Sequence, residues 1–84
     1  MEVKVSRNGQ HLQMKWQLSK IDIPLSEIKE VQNDDTYGGE DKEAIRIGFP
    51  YGTTNRVVIK TRSETYIIFT SKSNLKEKIL SFMN

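Results

Sequence analysis

The chain has 84 residues, a net charge of +2 and no cysteine, which bounds one small domain over residues 1–84 and excludes disulfides and thiolate metal sites. No apolar run approaches the ~18 residues of a membrane-spanning helix. The start, Met1-Glu2-Val3-Lys4-Val5, lacks the apolar stretch of a signal peptide, so a cytoplasmic location is expected.

Charge is unevenly distributed. Residues 1–21 carry a net +3, residues 22–43 a net −6 and residues 44–84 a net +5. The acidic middle would be repelled by phosphate, which argues against a nucleic-acid partner.

In chain order, Val3 and Val5 alternate with polar residues, the period of a half-buried strand. Asn8-Gly9 follows and predicts a type I′ hairpin, with positive φ at both positions. The return strand places Leu12, Met14, Trp16 and Leu18 inward, with Gln13, Lys15 and Gln17 outward. Ile21, Ile23 and Leu25 repeat the alternation. Pro24 offers no backbone donor, so this run is an edge strand or ends there. Ser26-Glu27-Ile28 reads as a short turn into a strand from Ile28 to Val31.

Residues 33–43 are polar, with a Gly38-Gly39 pair, and predict a long loop. Ala44 to Gly48 is the next strand, with Ile45 and Ile47 inward and Arg46 outward. The loop from Gly48 to Asn55 leads into two further strands, Arg56 to Thr61 and Thr65 to Thr70. On the first of these, Val57 and Ile59 face the core and Val58 stands exposed among charges. Leu75, Ile79 and Phe82 form one helical stripe, widened by Leu80 and Met83. Asn74 and Glu77 have the spacing of a capping box. Trp16, Phe69 and Phe82 are expected in the core.

Seven short strands and a terminal helix give a mainly β domain. The order is that of a pleckstrin-homology-like (PH-like) barrel of about seven antiparallel strands capped by one C-terminal α-helix. An SH3-like or OB barrel is the runner-up, although its usual form ends without such a helix.

Catalytic chemistry finds little support. His11 is the single histidine and stands beside a hairpin turn. A nucleophilic triad needs a histidine between a carboxylate and an activated hydroxyl or thiol, and no such pattern is present. No cofactor motif occurs. The acidic run Asp34, Asp35, Glu40, Asp41 and Glu43 fails the calcium-loop spacing, because Tyr37 precedes Gly38 where an oxygen ligand belongs. It reads as a solvated loop whose charge would favour a basic partner.

A binding role fits better. Arg56, Lys60 and Arg62 are expected on one outer face, with Arg46 joining from a nearby strand. Such a cluster can meet an acidic protein surface or anionic headgroups, although an ordinary solvated face is the plainer reading. Phe49, Pro50 and Tyr51 form the candidate contact loop, since exposed aromatics are enriched at interfaces. Three partner readings remain open: a protein or peptide, an anionic membrane met from its inner face, or further copies of the chain.

The run Ile21-Asp-Ile-Pro-Leu-Ser-Glu-Ile-Lys-Glu-Val31 resembles a segment common in bacterial PH-like domains. The run Arg46-Ile-Gly-Phe-Pro-Tyr-Gly-Thr-Thr-Asn-Arg-Val-Val-Ile-Lys-Thr61 with Tyr66-Ile-Ile-Phe-Thr70 resembles the SunI/YnzG family. The resemblance covers nearly the whole chain and implies a PH-like domain from a Gram-positive bacterium. The family includes an immunity protein against the peptide sublancin that is anchored by a membrane-spanning segment. This chain lacks such a segment and is more similar to the soluble YnzG branch.

Overall fold

The computed structural model describes residues 3–33, 43–48 and 55–83. Seven strands and one helix follow in order: β1 (Lys4–Asn8), β2 (His11–Trp16), β3 (Ser19–Pro24), β4 (Ile28–Asn33), β5 (Ile45–Ile47), β6 (Asn55–Thr61), β7 (Thr65–Thr70) and α1 (Leu75–Phe82). A 3₁₀ turn over Leu25–Glu27 joins β3 to β4. The fold is mainly β and PH-like, in two sheets: β1-β2-β3, and β4-β6-β7-β5.

Two details of the expected barrel are corrected. The sheets are not closed into a barrel, because no strand ladder joins them among the described residues. The bond from Leu25 to the Gln10 carbonyl, at 2.9 Å, continues the β2–β3 pairing past Pro24 within the first sheet and does not reach the second. Nor are all strands antiparallel, since β5 pairs with β7 in parallel. The reason is topological. β6 and β7 form an antiparallel hairpin, and β5 runs opposite to β6 but docks on the far side of β7.

The first hairpin is shifted by one residue from its sequence reading. Asn8 pairs with His11, so the loop is Gly9-Gln10, with φ of +61° at Gly9. A positive φ at the first loop position, filled by glycine, is the type II′ pattern. The second hairpin pairs Trp16 with Ser19. Its loop, Gln17-Leu18, holds Gln17 at φ +54° and leaves Leu18 fully exposed, contrary to the inward position expected for it. The strand ends at Trp16, so alternation no longer governs residue 18.

Alternation elsewhere builds the core. Val5, Leu12, Met14 and Ile23 from the first sheet meet Val31, Ile47, Val57, Ile59 and Ile68 from the second. Trp16 and Phe82 pack partly buried against this cluster, and Leu75 and Ile79 close it from the helix. Each fully buried aliphatic side chain contributes about 1.5–3 kcal/mol. Leu80 and Met83, expected to widen the helical stripe, are exposed. Gln13 faces outward on β2 yet is buried, its amide donating to the Asp22 carboxylate at 3.1 Å.

The expected capping box does not form. Asn74 sits at φ −105°, ψ 13°, outside the extended region that aims a cap side chain at the first helical N–H groups, and it makes no side-chain cap bond. The other end is held by Arg7, whose Nη1 donates to the Phe82 carbonyl at 3.0 Å. A cation there also opposes the negative end of the helix dipole.

A second apolar cluster lies on the opposite face of the four-stranded sheet: Ala44, Val58, Ile67 and Phe69. Val58 is 2% exposed, which overturns its expected exposure. β6 and β7 are therefore buried on both faces. The unbroken runs Val57-Val58-Ile59 and Ile67-Ile68-Phe69 are the pattern of such strands.

Candidate functional site

The expected basic cluster assembles in part. Arg56 stands opposite Phe69, Lys60 opposite Thr65, and Arg46 opposite Ile67, which itself faces Val58. This register puts Arg46, Arg56 and Lys60 on one face, around the second apolar cluster. Arg62 does not join them. It lies past the end of β6 in the turn to β7, beside a hollow of about 290 Å³ that is also lined by Glu43 and Glu64. Thr61 shapes that turn, its Oγ1 accepting from the Glu64 N–H at 2.9 Å.

The three cations that share the face are each engaged there. Lys60 Nζ lies 3.9 Å from a Glu30 carboxylate oxygen, and Glu30 also accepts from Gln32. Both members of the Lys60–Glu30 pair are about half exposed, so the pair adds at most about 1 kcal/mol but cancels much of the local charge. The Arg56 guanidinium stacks 5.9 Å over the Phe69 ring. Arg46 Nη1 donates to the Ala44 carbonyl at 3.2 Å. Phe49, Pro50 and Tyr51 lie outside the described residues. Gly48, which leads into them, has φ of +101° and lies against Val3 and the Phe69 backbone.

A different set of cations converges more openly. Lys4 pairs with Lys15, and Lys15 with Lys20, in one row across the first sheet. Lys4 and Lys15 also line a groove of about 410 Å³ with Lys72 and Lys78, above the buried Val3, Val5 and Leu75. The sequence shows each of these lysines, but Lys72 and Lys78 lie some sixty residues from Lys4 and Lys15. Only the docking of α1 beside β1 brings them together. Among the described residues, no group of three or more His, Cys, Asp or Glu side chains is placed to hold a metal ion.

A family model described as "SunI-like bacterial PH domain" matches residues 1–81. The chain belongs to this family. Among its relatives, a UPF0457 protein of Geobacillus thermodenitrificans is 54% identical over 83 residues, covering 98% of this chain and 89% of the relative. UPF0457 protein YnzG of Bacillus subtilis is 54% identical over 80 residues, covering 94% and 96%. A UPF0457 protein of Bacillus thuringiensis strain Al Hakam is 46% identical over 83 residues. No solved structure matches the chain. Among the described residues, no helix is long and apolar enough to cross a membrane.

Proposed function

We propose that this member of the SunI-like family is a non-catalytic cytoplasmic binding module whose partner is a protein or peptide. The observation that carries this reading is the open architecture. Each sheet ends in strands whose outer edges have no partner strand among the described residues. A free edge presents N–H and C=O groups that an extended segment can pair with, which gives affinity through the backbone. The contact loop proposed from the sequence, Phe49, Pro50 and Tyr51, follows Gly48 in the chain, and Arg46 and Arg56 share one face of the sheet that holds β5.

The test is affinity capture from a Bacillus lysate, with wild type and a Tyr51→Ala, Arg56→Glu variant side by side. Specific retention by wild type and loss by the variant supports both the module and the loop. Equal retention by both baits supports the module and removes the loop. No specific retention by either bait counts against protein binding. A sublancin-type immunity role is a narrower form of the same proposal, in which the recognised peptide is an antimicrobial one. Expression of the chain in a sublancin-sensitive strain tests it, with protection as the expected outcome.

A second reading, contact with anionic membrane, is favoured by the lysine row of the first sheet and the exposed Leu18 next to it. It expects sedimentation with phosphatidylglycerol vesicles that weakens steeply with salt.

A further inference from the structure

We propose that an extended acidic segment of a partner protein docks along the outer edge of β1, in the groove between β1 and the start of α1. This rests on the binding-module reading and names the site and the partner's chemistry.

Three observations converge. First, β1 is the edge best suited to accept a strand. Among the other edges, β3 ends in Pro24 and carries Lys20 and Asp22. β4 is interrupted by a register shift between Ile28 and Glu30. β5 has three residues. Proline, bulges, short length and charged side chains are the usual defences against edge pairing, and of these β1 carries only the charges of Lys4 and Arg7. β1 has five residues, no proline and a continuous ladder with β2 from Lys4 to Asn8. Among the described residues its other side has no partner strand, and α1 touches it at the far end, where Arg7 donates to the Phe82 carbonyl.

Second, the groove lies at that edge. It is lined by the consecutive residues 3–6 of the β1 segment, which point to alternate faces, so the space runs beside the strand rather than above it. Leu75 and Lys78 form the opposite wall.

Third, its polar lining is of one sign. Lys4, Lys15, Lys72 and Lys78 line it, and none has an ion pair among the described residues. Lys4 and Lys15 sit directly opposite each other, and Lys15 opposite Lys20. Like charges in that arrangement repel, and a bound carboxylate relieves the repulsion.

The lysine stems and their ammonium groups together specify the ligand. Val3, Val5 and Leu75 are almost fully buried beneath the groove, so its accessible apolar surface is mainly lysine methylene stem, with the ammonium groups at the tips. An added strand presents alternate side chains to opposite sides. A segment alternating apolar and acidic residues therefore sets its carboxylates among the ammonium groups and its apolar side chains against the lysine stems. A flat bilayer surface would reach the ammonium groups but not the strand edge, which is why a peptide fits this groove better.

The test is an NMR titration of the ¹⁵N-labelled full chain with the peptide Thr-Glu-Val-Glu-Val-Glu-Ser. Controls are the same peptide with lysine replacing glutamate, and phosphatidylglycerol vesicles. The expected result is shifts of the residue 3–6 amides and of those around Lys72 to Lys78 with the acidic peptide alone. Binding should weaken about tenfold in a Lys15→Glu, Lys78→Glu variant, the scale of losing and reversing two exposed charge pairs. Both lysines are exposed. A thermal melt at or above that of wild type shows that the variant is folded. Shifts confined to the face of Arg46 and Arg56 would overturn the groove while leaving the binding module standing. Response to vesicles but not to peptide would overturn it in favour of lipid. No response to any probe would also overturn it, and the lysate capture would then decide the module separately.

Discussion

Gly48 is the position where a single methyl group should cost most for its size. It follows β5, and its φ of +101° lies in a region that side chains with a Cβ rarely adopt. A Cβ built there would overlap the Phe69 carbonyl oxygen and stand 3.1 Å from Val3 Cγ2. The carbonyl belongs to the β7 backbone and cannot rotate aside. The backbone strain costs about 1–3 kcal/mol, and displacing packed backbone adds about 1–3 kcal/mol. The lower entropy of the unfolded alanine chain returns about 0.4–1 kcal/mol. The net loss for Gly48→Ala is therefore about 1–5.5 kcal/mol, and its midpoint near 3 kcal/mol corresponds to roughly 12–24 °C in Tm for a domain of this size. Gly9→Ala supplies the control, because Gly9 has φ of +61° with no atom within 4 Å of its added Cβ. Strain alone, about 1–2 kcal/mol, should appear there. Thermal and urea unfolding followed by circular dichroism measure both variants. If Gly48→Ala melts within about 3 °C of wild type, or no lower than Gly9→Ala, the close approach of β5 to β7 and Val3 is wrong.

Other substitutions test separate parts of the structure. Gln17→Gly relieves a positive φ on a residue with a Cβ and should raise stability by up to about 1 kcal/mol in urea unfolding. Arg7→Met removes the donor to the Phe82 carbonyl, and the last turn of α1 should lose hydrogen-exchange protection while the unfolding free energy falls by about 0.5–1.5 kcal/mol. Tyr66 donates its hydroxyl to Glu64 at 2.9 Å. Burial first, then that hydrogen bond and the Glu64 charge, push the hydroxyl above its ordinary 10.0. The folded state thus holds this proton more tightly than the unfolded chain does. Its contribution is complete below pH 10 and is lost as pH rises through the folded value. Tyr66→Phe should therefore show a shallower loss of stability above pH 10 than wild type, and equal slopes would refute the assignment.

Where one side of a strand faced the core, period-two alternation in the sequence was enough. Val5, Leu12, Met14, Ile23 and Ile47 all lie where their spacing placed them. The helical stripe of Leu75, Ile79 and Phe82 was equally legible, because it is local. Hairpin register was less so. Asn8-Gly9 invited a type I′ turn, and the ladder chose Gly9-Gln10, a one-residue difference that cross-strand pairing decides.

The larger departure is at Val58, and its cause bears on the candidate site. Alternation assumes one wet face and so sends Val58, between Val57 and Ile59, to solvent along with Arg56 and Lys60. In the structure that face holds its own apolar cluster, and Arg56 stacks over Phe69 within it. Burying a polar hydroxyl without a partner costs about 1–3 kcal/mol, whereas an exposed valine tolerates the change. Val58→Thr thus distinguishes the two assignments by urea unfolding, and a change within about 0.5 kcal/mol would restore the wet face. If the cluster stands, two of the three strand-face cations are held by their own sheet and Lys60 is matched by Glu30. Lys4, Lys15, Lys72 and Lys78 then form the group of cations that share a groove with no carboxylate lining it among the described residues. Those positions were individually plain in the sequence. Their convergence was not, because it exists only once α1 is folded back beside the edge of β1.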